Sequence, residues 1–271
     1  MVEALSSVFW APAAMIGAMI GALRVRHLVA VAALGAATVA VSACTPTGPR
    51  VVIFGDSLTI EAKGAGQAGT VLAGYRVDWS ATKYMTAPCN GLAAAKKLTY
   101  VPDVVVINYA GNRGSFQDNC MAGETGTALA ARYRKDVQAL IDRFRNGRTK
   151  VVVAGAPARQ RELTDGNLVF DALGALATDP HNAVAFFDAG RYLTPDRALP
   201  TRAATCLPSE TGSRCGTSKD PKKNYIRDVD REHLCPLGGE IDGSCGVYSS
   251  GSYRLALNLR DAIKAAKVAA R

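Results

Sequence analysis

Apolar positions along the chain fall into short unbroken runs separated by stretches of mixed polarity. Val51 to Phe54, Tyr75 to Ala81, Asp103 to Asn108 with its core "VVVIN", Lys150 to Ala154 and Ala183 to Phe187 read as five strands. Runs without alternating polar residues are what strands buried on both faces require. Between them, Leu58 to Ala73, Gly91 to Thr99, Glu124 to Asn146 and Asn167 to Ala177 read as helices, and Ser249 to Ala270 closes the chain as a fifth. The clearest is Glu124 to Asn146. There Leu129, Tyr133, Val137, Leu140, Ile141 and Phe144 recur at helical spacing and mark a face turned to the core. Strands alternating with helices predict one α/β domain, a parallel sheet of about five strands covered on both faces. Arg191 to Val229 breaks the rhythm. It is rich in Pro, Gly, Ser and Thr, carries two cysteines and has little periodicity, so a long irregular excursion is expected.

The first 44 residues have another pattern. Arg24, Arg26 and His27 precede a short Ala- and Val-rich apolar run, Leu28 to Ala40, and then Val41-Ser42-Ala43-Cys44. A charged region, a short apolar run and small residues before a break describe a signal peptide. The run is short of the roughly 20 apolar residues that span a bilayer. With cysteine after the break, the segment resembles a bacterial lipoprotein signal, which implies lipidation of Cys44 and attachment to a membrane there. Simple secretion and a transmembrane anchor are the alternatives. Met1 to Leu23 is a further apolar stretch, and Met15 or Met19 is an alternative start.

Composition narrows this picture. A chain of 271 residues, 48% hydrophobic, suffices for one large core. The formal net charge is +9. The basic residues are scattered, as at Lys96-Lys97, Arg132 to Lys135 and Lys222-Lys223, with no stripe interleaved with aromatics. Nucleic acid is therefore not an expected partner, although an anionic envelope polymer or lipid surface stays open. A monomer is expected. Six cysteines follow Cys44: Cys89, Cys120, Cys206, Cys215, Cys235 and Cys245. An even number in an exported chain suggests three disulfides, and spacing favours Cys89–Cys120, Cys206–Cys215 and Cys235–Cys245 among the connectivities. No CxxC pair occurs, and beyond the leader the histidines are His181 and His233, so no metal site is expected.

Ligands of an open parallel sheet sit beyond the carboxyl ends of its strands. After the first strand comes Gly55-Asp56-Ser57-Leu58. After the third comes Tyr109-Ala110-Gly111-Asn112-Arg113-Gly114, and before the last helix comes Asp230-Arg231-Glu232-His233. Taken singly these are turns, caps and a lone histidine. Taken together they hold a hydroxyl, a base and a carboxylate three residues from that base, the set a serine nucleophile needs. The backbone N–H of Ser57 and the side-chain amide of Asn112 are candidate donors for a developing oxyanion. Arg113, Tyr109 and Trp79 are candidate pocket residues, Asp228 is a rival to Asp230, and His181 falls at the wrong end of the sheet.

These blocks, in this order, resemble the SGNH or GDSL hydrolases. The match consists of "GDSL" at 55 to 58, "YAGNRG" at 109 to 114, "DREH" at 230 to 233 and Gly238 beyond it. The resemblance implies a flavodoxin-like three-layer α/β/α sandwich, with Ser57 as nucleophile, His233 as general base and Asp230 as its orienter. Ser57, Asn112 and one further backbone N–H would form the oxyanion hole. Aligning "GLAAAKKL" with the helix after the second block puts Met85 where the family has glycine; Gly91 is the other candidate. The expected activity is hydrolysis of small esters, or of O-acyl groups on envelope glycans or lipids, without cofactor. An acyltransferase using the same serine, and a catalytically silent lipoprotein binding a glycan or lipid, are the alternatives.

Overall fold

The structure is a computed structural model that describes residues 48–63, 67–115, 117–235, 240–241 and 244–268. The expected leader with Cys44 lies outside the described residues, as does Gly238. The chain runs β1 (Arg50–Gly55), α1 (Ser57–Ala62), α2 (Gln67–Val71), β2 (Arg76–Asp78), α3 (Pro88–Ala95), β3 (Val104–Asn108), α4 (Gly126–Phe144), β4 (Lys150–Gly155), α5 (Leu163–Thr178) and β5 (Ala185–Asp188). Two small hairpins follow, β6 (Ala203–Thr205) with β7 (Lys223–Tyr225) and β8 (Glu240–Ile241) with β9 (Ser244–Cys245), before α6 (Ser250–Val268).

The five long-range strands pair in parallel in the order β2-β1-β3-β4-β5. Their side chains alternate between two cores, as the period of a strand demands. Val52, Phe54, Val105, Ile107, Val151 and Val153 face one, which α3, α4 and α5 close through residues such as Leu129, Tyr133, Leu140 and Leu173. Val51, Ile53, Val104, Val106, Val152 and Ala154 face the other, closed by Leu58, Leu255, Leu259 and Ile263 of α1 and α6. The result is the expected three-layer α/β/α sandwich. In strand order 2-1-3-4-5 the chain turns from one side of β1 to the other, so β1 and β3 flank the switch point where ligands of such sheets bind.

Two expectations need correction. The helix read over Leu58 to Ala73 is two short helices, α1 and α2. Alanines and glycines between Ala62 and Gly74 supply few side chains to hold one helix together. The strand read over Tyr75 to Ala81 is limited to three residues, after which Ser80 N donates to Asp78 Oδ1 and turns the chain. The excursion after β5 is also better tied than its composition suggests. Cys206–Cys215 and the β6–β7 ladder close it, and Arg254 of α6 forms a buried ion pair with Glu210 at 2.6 Å.

Gly55 shows how closely the sheet edge is packed where β1 ends. A Cβ there would lie 2.8 Å from the Asn108 carbonyl oxygen and 2.3 Å from Thr59 Oγ1. The Thr59 hydroxyl cannot give way freely, because it donates to Asn108 Oδ1 at 2.8 Å and lies 3.0 Å from the Asn108 carbonyl oxygen. Gly55→Ala is expected to lower the unfolding free energy by about 1–3 kcal/mol, read as a lower urea midpoint at unchanged slope.

Candidate active site

The residues after β1 are set by Asp56, which is fully buried. It is the N-cap of α1: its Oδ1 accepts from Leu58 N at 3.2 Å. Its Oδ2 reaches across to the end of β3 and accepts from Ala110 N at 2.6 Å and from Asn112 Nδ2 at 3.1 Å. Burial raises the Asp56 carboxyl above its ordinary value, and the Arg159 charge is the largest influence opposing this. Ser57, the first residue of α1, is 7% exposed, and its N–H belongs to the first helical turn, whose amides have no intrahelical acceptor.

Asn112 is held at three points. Its Nδ2 donates to Asp56, its Oδ1 accepts from Arg159 Nη1 at 2.8 Å, and its carbonyl accepts from Tyr133 Oη at 2.5 Å. Burial, reinforced by the Asp56 charge, pushes the Tyr133 phenol well above its usual range, so it stays a donor. An Asn amide has two N–H bonds, and the contact to Asp56 uses one.

The turn before the last disulfide brings the carboxylate and imidazole together. Asp230 Oδ2 lies 2.7 Å from His233 Nδ1, while Asp230 Oδ1 accepts from Glu232 N at 2.8 Å and His233 N at 3.2 Å. Burial alone would raise the Asp230 carboxyl. The hydrogen bonds from Glu232 N and from the His233 side chain and backbone outweigh it and hold the group below the usual carboxylate range. Asp228 instead uses its carboxylate on Val229 N, which leaves Asp230 as the partner of the imidazole.

The imidazole edge opposite Asp230 faces α1. His233 Nε2 is 3.9 Å from Oε1 of Glu61, and Glu61 Oε2 accepts from Leu234 N. Glu61 is buried and lies four residues after Ser57, on the same helix face. The structure therefore docks the Asp230–His233 turn onto the face of α1 that carries Ser57. Among the described residues no hydrogen bond joins Ser57 to His233; the imidazole, 43% exposed, stands one turn farther along α1. Catalytic hydrogen bonds are commonly long without substrate.

The loop after β2 lies against the same edge. Thr82 Oγ1 donates to the Ile53 carbonyl at 2.8 Å, and Thr86 Oγ1 and Lys83 N donate to that of Gly55 at 2.9 and 3.2 Å. Met85 within it has φ +52° and is 38% exposed. That is the left-handed conformation glycine takes freely. Gly91 is buried inside α3, where its N–H donates to the Ala87 carbonyl and its Cα faces the Tyr109 hydroxyl. Of the two candidates for the third donor, Met85 alone stays in the loop. Cys89–Cys120, with a Cα–Cα distance of 6.5 Å, ties α3 behind this loop to the segment following Asn112. Cys235–Cys245 closes the chain just after His233. All three disulfides are those favoured by spacing.

Other candidates are placed elsewhere. Tyr109 is buried in the core, Trp79 packs partly against the opposite core, and Arg113 is committed to Glu162 and Asp165 at 2.7 and 2.8 Å. His181 is exposed before β5. The sequence reading gave no structural role to Arg159, Glu232 or Glu61. Only Glu61 carried a signal, its spacing of four from Ser57.

No protein-family model and no curated protein matches the sequence. Solved structures are similar over most of the chain. An acetyl xylan esterase is 18% identical with a TM-score of 0.48 over 79% of this chain and 99% of its own. The catalytic domain of Streptococcus pneumoniae peptidoglycan O-acetyltransferase A is 12% identical, TM-score 0.48, over 82% and 96%. A GDSL-like lipase of Bacteroides thetaiotaomicron is 13% identical, TM-score 0.46, over 80% and 88%.

A left-handed non-glycine residue costs about 1–2 kcal/mol, so Met85→Gly is expected to raise stability by up to about 1 kcal/mol, measured by urea unfolding. In its strand order, β2-β1-β3-β4-β5, and its helices on both faces, the chain has the three-layer architecture that its resemblance to the SGNH hydrolases implies.

Proposed function

We propose that the protein is a serine esterase of the SGNH type. The observation that carries this reading is the Asp230–His233 pair at 2.7 Å, docked through Glu61 and Leu234 onto the helix that begins with Ser57. With Nδ1–H donating to Asp230, Nε2 carries the lone pair. Taking the Ser57 proton requires Nε2 to approach the Ser57 hydroxyl, one turn back along α1 from its contact with Glu61. The hydroxyl oxygen attacks the ester carbonyl carbon as its proton passes to Nε2. The imidazolium, stabilised by Asp230, then returns that proton to the departing alcohol. Water repeats the sequence on the acyl-enzyme and regenerates Ser57. The Ser57 and Met85 backbone N–H groups and the second N–H of Asn112 would hold the oxyanion.

The substrate class proposed is an acyl ester, small or carried on an envelope glycan or lipid. Export is supported by three disulfides, which persist in oxidising compartments, and anchoring through a lipidated Cys44 is part of the same proposal. No helix among the described residues is long and apolar enough to cross a membrane.

The test is turnover of a graded series of p-nitrophenyl acyl esters by the domain from Thr45 onward, beside Ser57→Ala. Turnover is expected for the wild type and its loss in the variant. Equal activity in both would make Ser57 a structural residue only, and a folded but inert wild type would favour the binding or acyltransferase alternatives.

The carboxyl of Asp230, held below the usual carboxylate range by the hydrogen bonds it accepts, is expected to stay ionised at neutral pH. Asp230→Asn should lower kcat by about 10²- to 10⁴-fold, measured on the same esters. The stability contributed by this lowered carboxyl is present above its unfolded pKa of about 3.9 and is lost as pH falls through the folded value, so the 230–233 turn loosens in acid.

A further inference from the structure

We propose that Arg159 is a positioning residue that fixes the orientation of the Asn112 amide and couples it to the catalytic turn through Glu232. The inference rests on the esterase reading, in which Asn112 donates to the oxyanion. Arg159 lies in the loop after β4, where its side chain is 12% exposed. Its guanidinium meets the loop after β3, the end of its own loop and the 230–233 turn. Nη1 donates to Asn112 Oδ1 at 2.8 Å, Nη2 pairs with Glu162 Oε2 at 2.5 Å, and Nε lies 3.1 Å from Glu232 Oε2.

An Asn amide can turn over and exchange its oxygen for its nitrogen. A guanidinium only donates, so it accepts one orientation, with Oδ1 toward it and Nδ2 toward Asp56 and the Ser57 turn. The same charge draws electron density toward Oδ1, which makes the Nδ2 hydrogens better donors. Glu232 occupies the position between Arg231 and His233 in the "DREH" turn. Its Oε1 accepts from Arg161 N at 2.5 Å, and its carbonyl accepts from the buried Arg227 at 2.6 Å. Arg227 also donates to the Ala158 carbonyl at 2.8 Å, next to Arg159. One planar cation thus registers the donor side of the site against its acid–base side. A lysine ammonium at 159 could not present this planar fork, with hydrogen bonds to Asn112 and Glu162 and the ion pair to Glu232.

The test is a double-mutant cycle on p-nitrophenyl acetate, with wild type, Arg159→Gln, Asn112→Ala and the double variant. Circular dichroism confirms the fold of each, and Arg159→Lys replaces Arg159→Gln should the latter not fold. Arg159→Gln is expected to lower kcat about 10- to 100-fold with KM within about twofold, because a loosened oxyanion donor acts mainly in the transition state. Asn112→Ala should lower kcat about 10²- to 10³-fold, and adding Arg159→Gln to it should change kcat by less than about twofold. Equal losses in both backgrounds, or no loss in either, overturn the proposal.

A second readout does not depend on turnover. The Asn112 side-chain amide pair in the ¹⁵N–¹H spectrum, assigned by its disappearance in Asn112→Asp, should shift and broaden in Arg159→Gln. An unchanged pair overturns the positioning role directly. A perturbed pair in a protein whose wild type hydrolyses no ester overturns the esterase reading, and with it the catalytic purpose of the bridge.

Discussion

The buried Asp56 carboxylate is the interaction on which the site depends. It lies between the ends of β1 and β3, adjacent strands at the point where the sheet changes direction. Its two oxygens take up three donors, from Leu58, Ala110 and Asn112. A carboxylate out of water is tolerated only when its lone pairs are filled. Here the groups that fill them are the first turn of α1, the backbone leaving β3 and the amide of Asn112. Position 56 therefore fixes where Ser57 begins its helix and how far the second loop stands from it. An amide of the same size would keep one acceptor oxygen and set an N–H donor against the others.

Around that point the structure is fastened by ties of different kinds. Thr59 and Asn108 join the ends of β1 and β3, and Asn108 Nδ2 carries the link to the Ala154 carbonyl of β4. Cys89–Cys120 holds the loop after β2 to the loop after β3. Arg227 and Arg159 hold the 230–233 turn to the loop after β4. Each loop that contributes a candidate site residue thus has its own anchor. The backbone of Met85 can remain left-handed because Thr82, Lys83 and Thr86 bind the segment to β1 on either side of it.

The layered fold was legible because five apolar runs and the periodic stripe of α4 each report burial directly. The contact between Asp230 and His233 was legible because the two lie three residues apart, and the place of Ser57 at the start of α1 because it follows the first apolar run. The oxyanion candidates were less so. Nothing in the letters around Met85 announces a positive φ, and Gly91 looked suitable until its packing against Tyr109 was known. The ordering of the 191–229 excursion depends on tertiary partners, Glu210 with Arg254 above all. Arg159, Glu232 and Glu61 were not legible as a set. They are separated by scores of residues, and their roles arise only when three loops converge.

The contact between Glu61 and Leu234 joins residues 173 positions apart in the chain. On the esterase reading the nucleophile is made at the beginning of the domain and its base near the end. A ribosome that has finished all five strands of the large sheet has still made no general base. On that reading, a chain that ends before residue 233 carries its serine without a base.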